Sequence, residues 1–127
     1  MSNNAALLLA RILISIIFIS SGLQKFTDIG GTAGYISSVG LPAPALLAWV
    51  SAIVEVVAGI GVLIGFMTRY AAWLLALFCL VAAVFFHRDF ADLNQMIHFM
   101  KNLAIAGGFL ALSVAGPGKL SVDRRGA

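Results

Sequence analysis

The sequence predicts an all-α membrane protein: a four-transmembrane-helix bundle with a Gly/Pro-rich loop between the first and second helices. Three observations predict it. Of the 127 residues 61% are hydrophobic and only 10% charged, with a mean hydropathy of +1.05; a soluble domain carries roughly 25% charge, because its surface has to be covered with polar groups. Four apolar runs, each near the ~17–25 residues that cross a ~30 Å hydrocarbon core, are separated by polar or Gly/Pro-rich breaks. Backbone N–H and C=O groups find no water in lipid, so runs of this length have to be helices. The length allows one domain, taken as residues 1–127.

The first span is read at about Ala5–Leu23. Its apolar stretch is long, Arg11 interrupts it and no small-x-small cleavage site follows, so it is a retained helix rather than a secretory signal. Next comes KFTDIGGTAGYISSVGLPAPA, where Gly30, Gly31 and Gly34 permit unusual backbone conformations and Pro42 and Pro44 punctuate the approach to the second span. It is expected to be a flexible cap over the outer mouth of the bundle, with AGYISSV as a short interfacial turn and Tyr35 at headgroup level. The glycines lack the following Lys-Ser/Thr and the strand context of a phosphate-binding loop. The second span is about Ala45–Phe66, the third, the shortest, Tyr70–Phe86, and the fourth Ile97–Ala115. Residues 116–127 form a short basic tail.

Orientation follows from lysine and arginine. Arg69, Lys119, Arg124 and Arg125 lie on one side with Arg11 near that edge; Lys25 and Arg88, with Lys101 near its edge, lie on the other. That asymmetry places both termini in the cytoplasm. The basic tail suits anionic lipid and does not imply nucleic acid.

Glu55 is the residue that composition leaves unexplained. It stands inside VSAIVEVVAGIGVLIGF with no charged neighbour for more than ten residues on either side. On a helix its face reads Ala48, Ser51, Ala52, Ala58, Gly59 and Val62, a stripe of mostly small residues that lets helices approach closely. A carboxylate near the bilayer midplane is costly and marks a pair or a function. Arg11, Ser15, Gly22 and Lys25 share a face of the first span; His98, Lys101, Ala104, Ile105, Gly108 and Ala115 roughly share one of the fourth. The candidate intramembrane polar cluster is therefore Gln24, Lys25, Glu55, His98, Lys101 and Asn102, with Glu55 expected to pair with either Lys101 or Arg11. Snorkelling is the plainer account of Lys25, Arg11 and Lys101, which lie near span ends. His87 and His98 lack supporting ligands at metal-binding spacing, so no metal is expected. The lone Cys79 permits no internal disulfide and no C-x-x-C chemistry. Any redox role then needs a quinone or a protein partner to supply the electrons.

The succession ISSGLQKF, GLPAPA, VEVVAGIGVLIGFMTR, FFHRDF, HFMKNLAIAGG and AGPGKLSVD spans nearly the whole chain in order and resembles the DoxX family. The resemblance implies a small bacterial four-helix inner-membrane protein, similar to a subunit of thiosulfate:quinone oxidoreductase. The family pattern matches Lys25, Glu55, Arg69, His87, Lys101 and Asn102. Two functions are expected from this. One is a non-catalytic subunit or assembly factor of a membrane oxidoreductase, with the lipid bilayer and an oxidoreductase partner or a second copy as contacts. The other is a quinone-binding electron-transfer subunit, in which Glu55, His98 and Lys101 bind or protonate the head group. A small solute or proton pathway is the weaker third, since four short helices without an internal repeat argue against alternating access.

Overall fold

The computed structural model describes residues 2–124 and contains five helices: α1 (Asn3–Thr27), α2 (Ile29–Ser38), α3 (Pro44–Ile64), α4 (Thr68–Phe86) and α5 (Leu93–Ala115). Four of them, α1, α3, α4 and α5, are long and apolar enough to cross a membrane, and no strand is present among the described residues. The four-helix membrane bundle is thus the fold. Its span ends run further than the apolar runs do. Helix α1 continues past Leu23 to Thr27, and α5 starts at Leu93 rather than Ile97. Polar caps set these limits: Ser2 Oγ accepts from the Ala5 N–H at 3.1 Å, and Asp92 Oδ1 accepts from the Asn94 N–H at 2.9 Å.

The glycine-rich segment is not a loop. It is α2, ten residues long and packed mainly against α3. Asp28 starts it, its carboxylate accepting from the Gly31 N–H at 3.0 Å. A Cβ on Gly31 would stand 2.3 Å from that carboxylate, so the glycine is what lets the cap close. The helix ends at Ser38, Gly40 turns the chain with a φ of +83°, and Pro44 opens α3.

Small residues bring α1 against α3. A Cβ on Gly22 would lie 2.6 Å from Val56 Cγ2 and 3.0 Å from the Ala52 carbonyl, and one on Gly59 2.9 Å from Ile19 Cγ1. In lipid such close approach replaces the hydrophobic effect as the source of helix association. Further in, the Phe18 ring meets Phe109 edge-on at 5.4 Å and Phe78 at 6.4 Å, joining α1, α5 and α4. Leu75, Cys79, Val62 and Ala106 complete this centre. Outside, Leu13, Val57, Leu77 and Trp73 stand exposed, as an apolar surface facing acyl chains should.

At the end of the bundle that holds both termini, the tail folds back over the α3–α4 turn. Val122 N–H donates to the Ile64 carbonyl at 3.0 Å and Asp123 N–H to that of Gly65 at 2.8 Å. The Asp123 carboxylate accepts from Met67 N–H, Thr68 N–H and Thr68 Oγ1 at 2.9–3.0 Å, capping α4. Lys119 and Arg124 stay exposed, while the last three residues of the predicted tail, Arg125 among them, lie outside the described residues.

Candidate functional site

Glu55 is 3% exposed and ~15 Å from either end of α3. Its partner is Lys25, which binds Glu55 Oε1 directly and donates to Ser21 Oγ at 2.9 Å. Helix geometry explains the match. Side chains lean toward the N-terminus of their own helix, and α1 and α3 run antiparallel. Lys25, close to the end of α1, leans into the membrane, while Glu55 leans out toward it. An ammonium has three N–H donors, and two of Lys25's are used among the described residues.

Neither expected partner pairs with Glu55, and both outcomes have a physical cause. Arg11 is fully buried but lies 14 residues before Lys25 on α1, ~21 Å toward the other end. There its guanidinium donates to the Leu63 carbonyl at 2.9 Å and to that of Leu120, tying the C-terminus of α3 to the tail. Carbonyls ending a helix carry partial negative charge, which a buried arginine suits. Lys101 is exposed. The core stripe of α5 is Ala106, Phe109 and Leu112, and Lys101 lies roughly 80° around the helix from Phe109. The face expected for α5 was therefore rotated away from the true one, and Ala104 and Gly108 on it are exposed.

The pair sits in the wall of a cavity of about 670 Å³ bounded by α1, α2, α3 and α4. Ser21, Gln24, Lys25, Ser51, Glu55 and His87 give it a polar side; Tyr35, Ile36, Leu47, Phe78 and Phe86 an apolar one. Tyr35 stacks on Phe86, ring centroids 5.2 Å apart and 29° between planes, and so closes α2 against α4. The six candidate residues divide accordingly. Gln24, Lys25 and Glu55 line the cavity; His98, Lys101 and Asn102 do not. His98 is exposed, but its ring lies 5.1 Å from that of His87, which does line it. Asn102 donates to the His98 carbonyl of its own helix at 2.9 Å. Burial holds the His87 imidazole below its ordinary pKa, and nearby His98 adds to the effect, so His87 is neutral at pH 7. Among the described residues no three His, Cys, Asp or Glu side chains gather as metal ligands would.

The candidate cluster left out Ser21, Ser51, Tyr35 and His87, which line the cavity. Ser51 was visible on the Glu55 face, one turn away. Tyr35 was expected at headgroup level, because its segment was expected to be a loop rather than a helix folded over the bundle.

The cavity lies wholly within the part of the chain, residues 6–88, that matches the DoxX family. Over 95% of its length the chain is 41% identical to 92% of inner membrane protein YqjF of Escherichia coli K12. It is 42% identical to inner membrane protein YphA of the same strain, over 94% of this chain and 89% of that one. A shorter match, 40% identical over 55% of this chain and 51% of the other, is to a Bacillus subtilis 168 protein named "Putative oxidoreductase CatD". No solved structure matches. By the extent of these matches, the chain belongs to the DoxX family.

Proposed function

We propose that this protein is an inner-membrane subunit of a redox system that holds a quinone-type head group in the Lys25–Glu55 cavity for a partner oxidoreductase. The observation that carries the reading is an ion pair in a cavity wall, its carboxylate buried and its ammonium partly exposed. A volume of about 670 Å³ is within the range of small-molecule sites, which are mostly apolar with a few placed polar groups. A quinone carbonyl takes hydrogen bonds from Lys25, Gln24 or Ser51, while its ring rests among Phe78, Phe86 and Tyr35. A quinol presents O–H donors instead, for which the Glu55 carboxylate and neutral His87 are acceptors. The chain has one cysteine and no C-x-x-C, so the electrons come from the partner. The names of YqjF and YphA support the inner membrane, and that of the Bacillus relative supports a redox setting. The Lys/Arg asymmetry supports cytoplasmic termini, which puts the cavity in the periplasmic half.

The test is thermal stability of detergent-purified protein titrated with a decyl-chain benzoquinone. A ligand bound only by the folded state stabilises by about 2.7 kcal/mol at one hundred times its Kd, so the shift must grow with concentration. Lys25→Met should remain folded and lose the shift. Absence of a shift for several quinones would leave the cavity without this role.

One observation favours a second reading, a non-catalytic anchoring or assembly subunit. Ala104, Gly107, Gly108 and Ala111 leave a small-residue face of α5 exposed, and a Cβ on Gly107 would meet nothing. Such faces suit helix–helix contact in lipid. On that reading Gly107→Leu abolishes co-purification of an oxidoreductase partner or of a second copy while quinone-dependent stabilisation is unchanged.

A further inference from the structure

A second cavity, of about 640 Å³, lies beside the first and is lined by Ser38, Gly40, Arg88, Asp89 and Gln95. Two residues belong to both cavities, Tyr35 and Phe86, and they are the stacked pair. The two spaces thus meet at one aromatic contact. On the inner side are Lys25 and Glu55; on the outer side are the exposed, charged residues that follow α4 and the C-terminal end of α2.

We infer that the outer cavity is the vestibule of the inner one, and that the Tyr35–Phe86 pair is the partition that selects what passes. The inference takes the inner cavity as a ligand site, as the proposed function does, but not the identity of the ligand. Opening the partition costs one ring-on-ring contact. A flat ring can replace that contact by stacking on Tyr35 or on Phe86 as it moves inward; a branched or bulky head group cannot. The selected class is therefore planar, ring-bearing amphiphiles approaching ring first from the headgroup side. The neighbouring Arg88 and Gln95 offer donors for carbonyl or anionic substituents on such a ring. Tyr35 is the movable half of the pair. Helix α2 rests mainly on α3, and it is flanked by the Asp28 junction and by Gly40 with its left-handed backbone. Phe86, in contrast, ends a bundle helix.

The test is thiol accessibility in a Cys79→Ala background, with the protein in lipid nanodiscs. Ser51→Cys reports the inner cavity and Gln95→Cys the vestibule. The probe is 2-sulfonatoethyl methanethiosulfonate, which is small, anionic and does not cross lipid. Gln95→Cys should react fast and at one rate in every variant, and a cooperative thermal unfolding transition in each variant checks that it is folded. Ser51→Cys should react slowly with the native pair and with Tyr35→Phe. It should react about three- to ten-fold faster with Tyr35→Ala or Phe86→Ala, the change in open population expected when one aromatic contact is lost. Three results would overturn the inference: Ser51→Cys as reactive as Gln95→Cys in the native pair, no acceleration by either alanine, or Tyr35→Phe behaving like Tyr35→Ala. Because no quinone is present, failure here is distinct from failure of the proposed ligand.

Discussion

At the scale of single residues, the chemistry rests on Lys25 and Glu55. Periodicity identified the right faces of α1 and α3, since Arg11, Ser15 and Gly22 are buried on one and Ala48, Ala52, Ala58 and Val62 on the other. It did not identify the partner, because a face says nothing about which helices are neighbours or how far along them two charges meet. The inward lean of a lysine near a helix C-terminus was the usable signal, and it favours Lys25 over Lys101. Breaking a buried pair on one side costs up to about 3–5 kcal/mol, and replacing both sides is near neutral; the partial exposure of Lys25 brings the figure toward the lower end. Glu55→Gln and Lys25→Met should each lower the unfolding midpoint in detergent, and the double variant should recover much of the loss. Additive losses would mean the two are not coupled. His87 gives a pH prediction with a definite sign. Its folded pKa is below its unfolded value of about 6.5, so its contribution to stability is complete above that pH and is lost as pH falls toward the folded value. Lys25, Glu55, Asp28 and Tyr35 face the same cavity, so the quantity to read is the difference between proteins. Between pH 7 and 5 wild type should lose more thermal stability than His87→Gln. Equal losses would remove His87 from the account.

At the scale of elements, α2 and the tail are where the chain was least legible. Gly30, Gly31 and Gly34 lower helix propensity, and each costs roughly 1 kcal/mol relative to alanine, so a loop was the natural expectation. Tertiary contact with α3 and the Asp28 cap outweigh that cost. An Asp followed three residues later by a glycine was the only local sign. Asp28→Ala should destabilise by about 1 kcal/mol, as loss of a helix N-cap does. It should also raise amide hydrogen exchange in α2 above that in α3; unchanged exchange would mean that packing alone holds the helix. The tail was read as a lipid-seeking basic segment, and Lys119 and Arg124 are exposed, but its backbone pins the α3–α4 turn. There Met67 adopts a φ of +47°, costly for a residue with a side chain, and the Asp123 carboxylate binds its N–H. Asp123→Ala should cost about 0.5–2 kcal/mol and loosen that turn. The same stability as wild type would show that Arg11 and the backbone bonds suffice.

At the scale of the whole molecule, the fold was legible almost entirely. Thirteen charges among 127 residues exclude a soluble globule, and four runs of span length leave one architecture. The cavity was not legible, since it exists only because α2 closes over α1, α3 and α4. Orientation is a property of the same scale: a reporter fused after Ala127 should be active only as a cytoplasmic type, and one inserted at Gly40 only as a periplasmic type. The reverse pattern would place the cavity in the cytoplasmic half. The central claim is that a quinone-type ring occupies the Lys25–Glu55 cavity, and photolabelling tests it most directly. Membranes containing the protein are irradiated with an azidobenzoquinone, and the modified peptides are mapped by mass spectrometry. The account predicts saturable labelling confined to residues 21–55 and 78–87, suppressed by excess unlabelled short-chain quinone and absent in Lys25→Met. Labelling that is unsaturable, spread over the lipid-facing side chains of the four spans, or unchanged in Lys25→Met would contradict it.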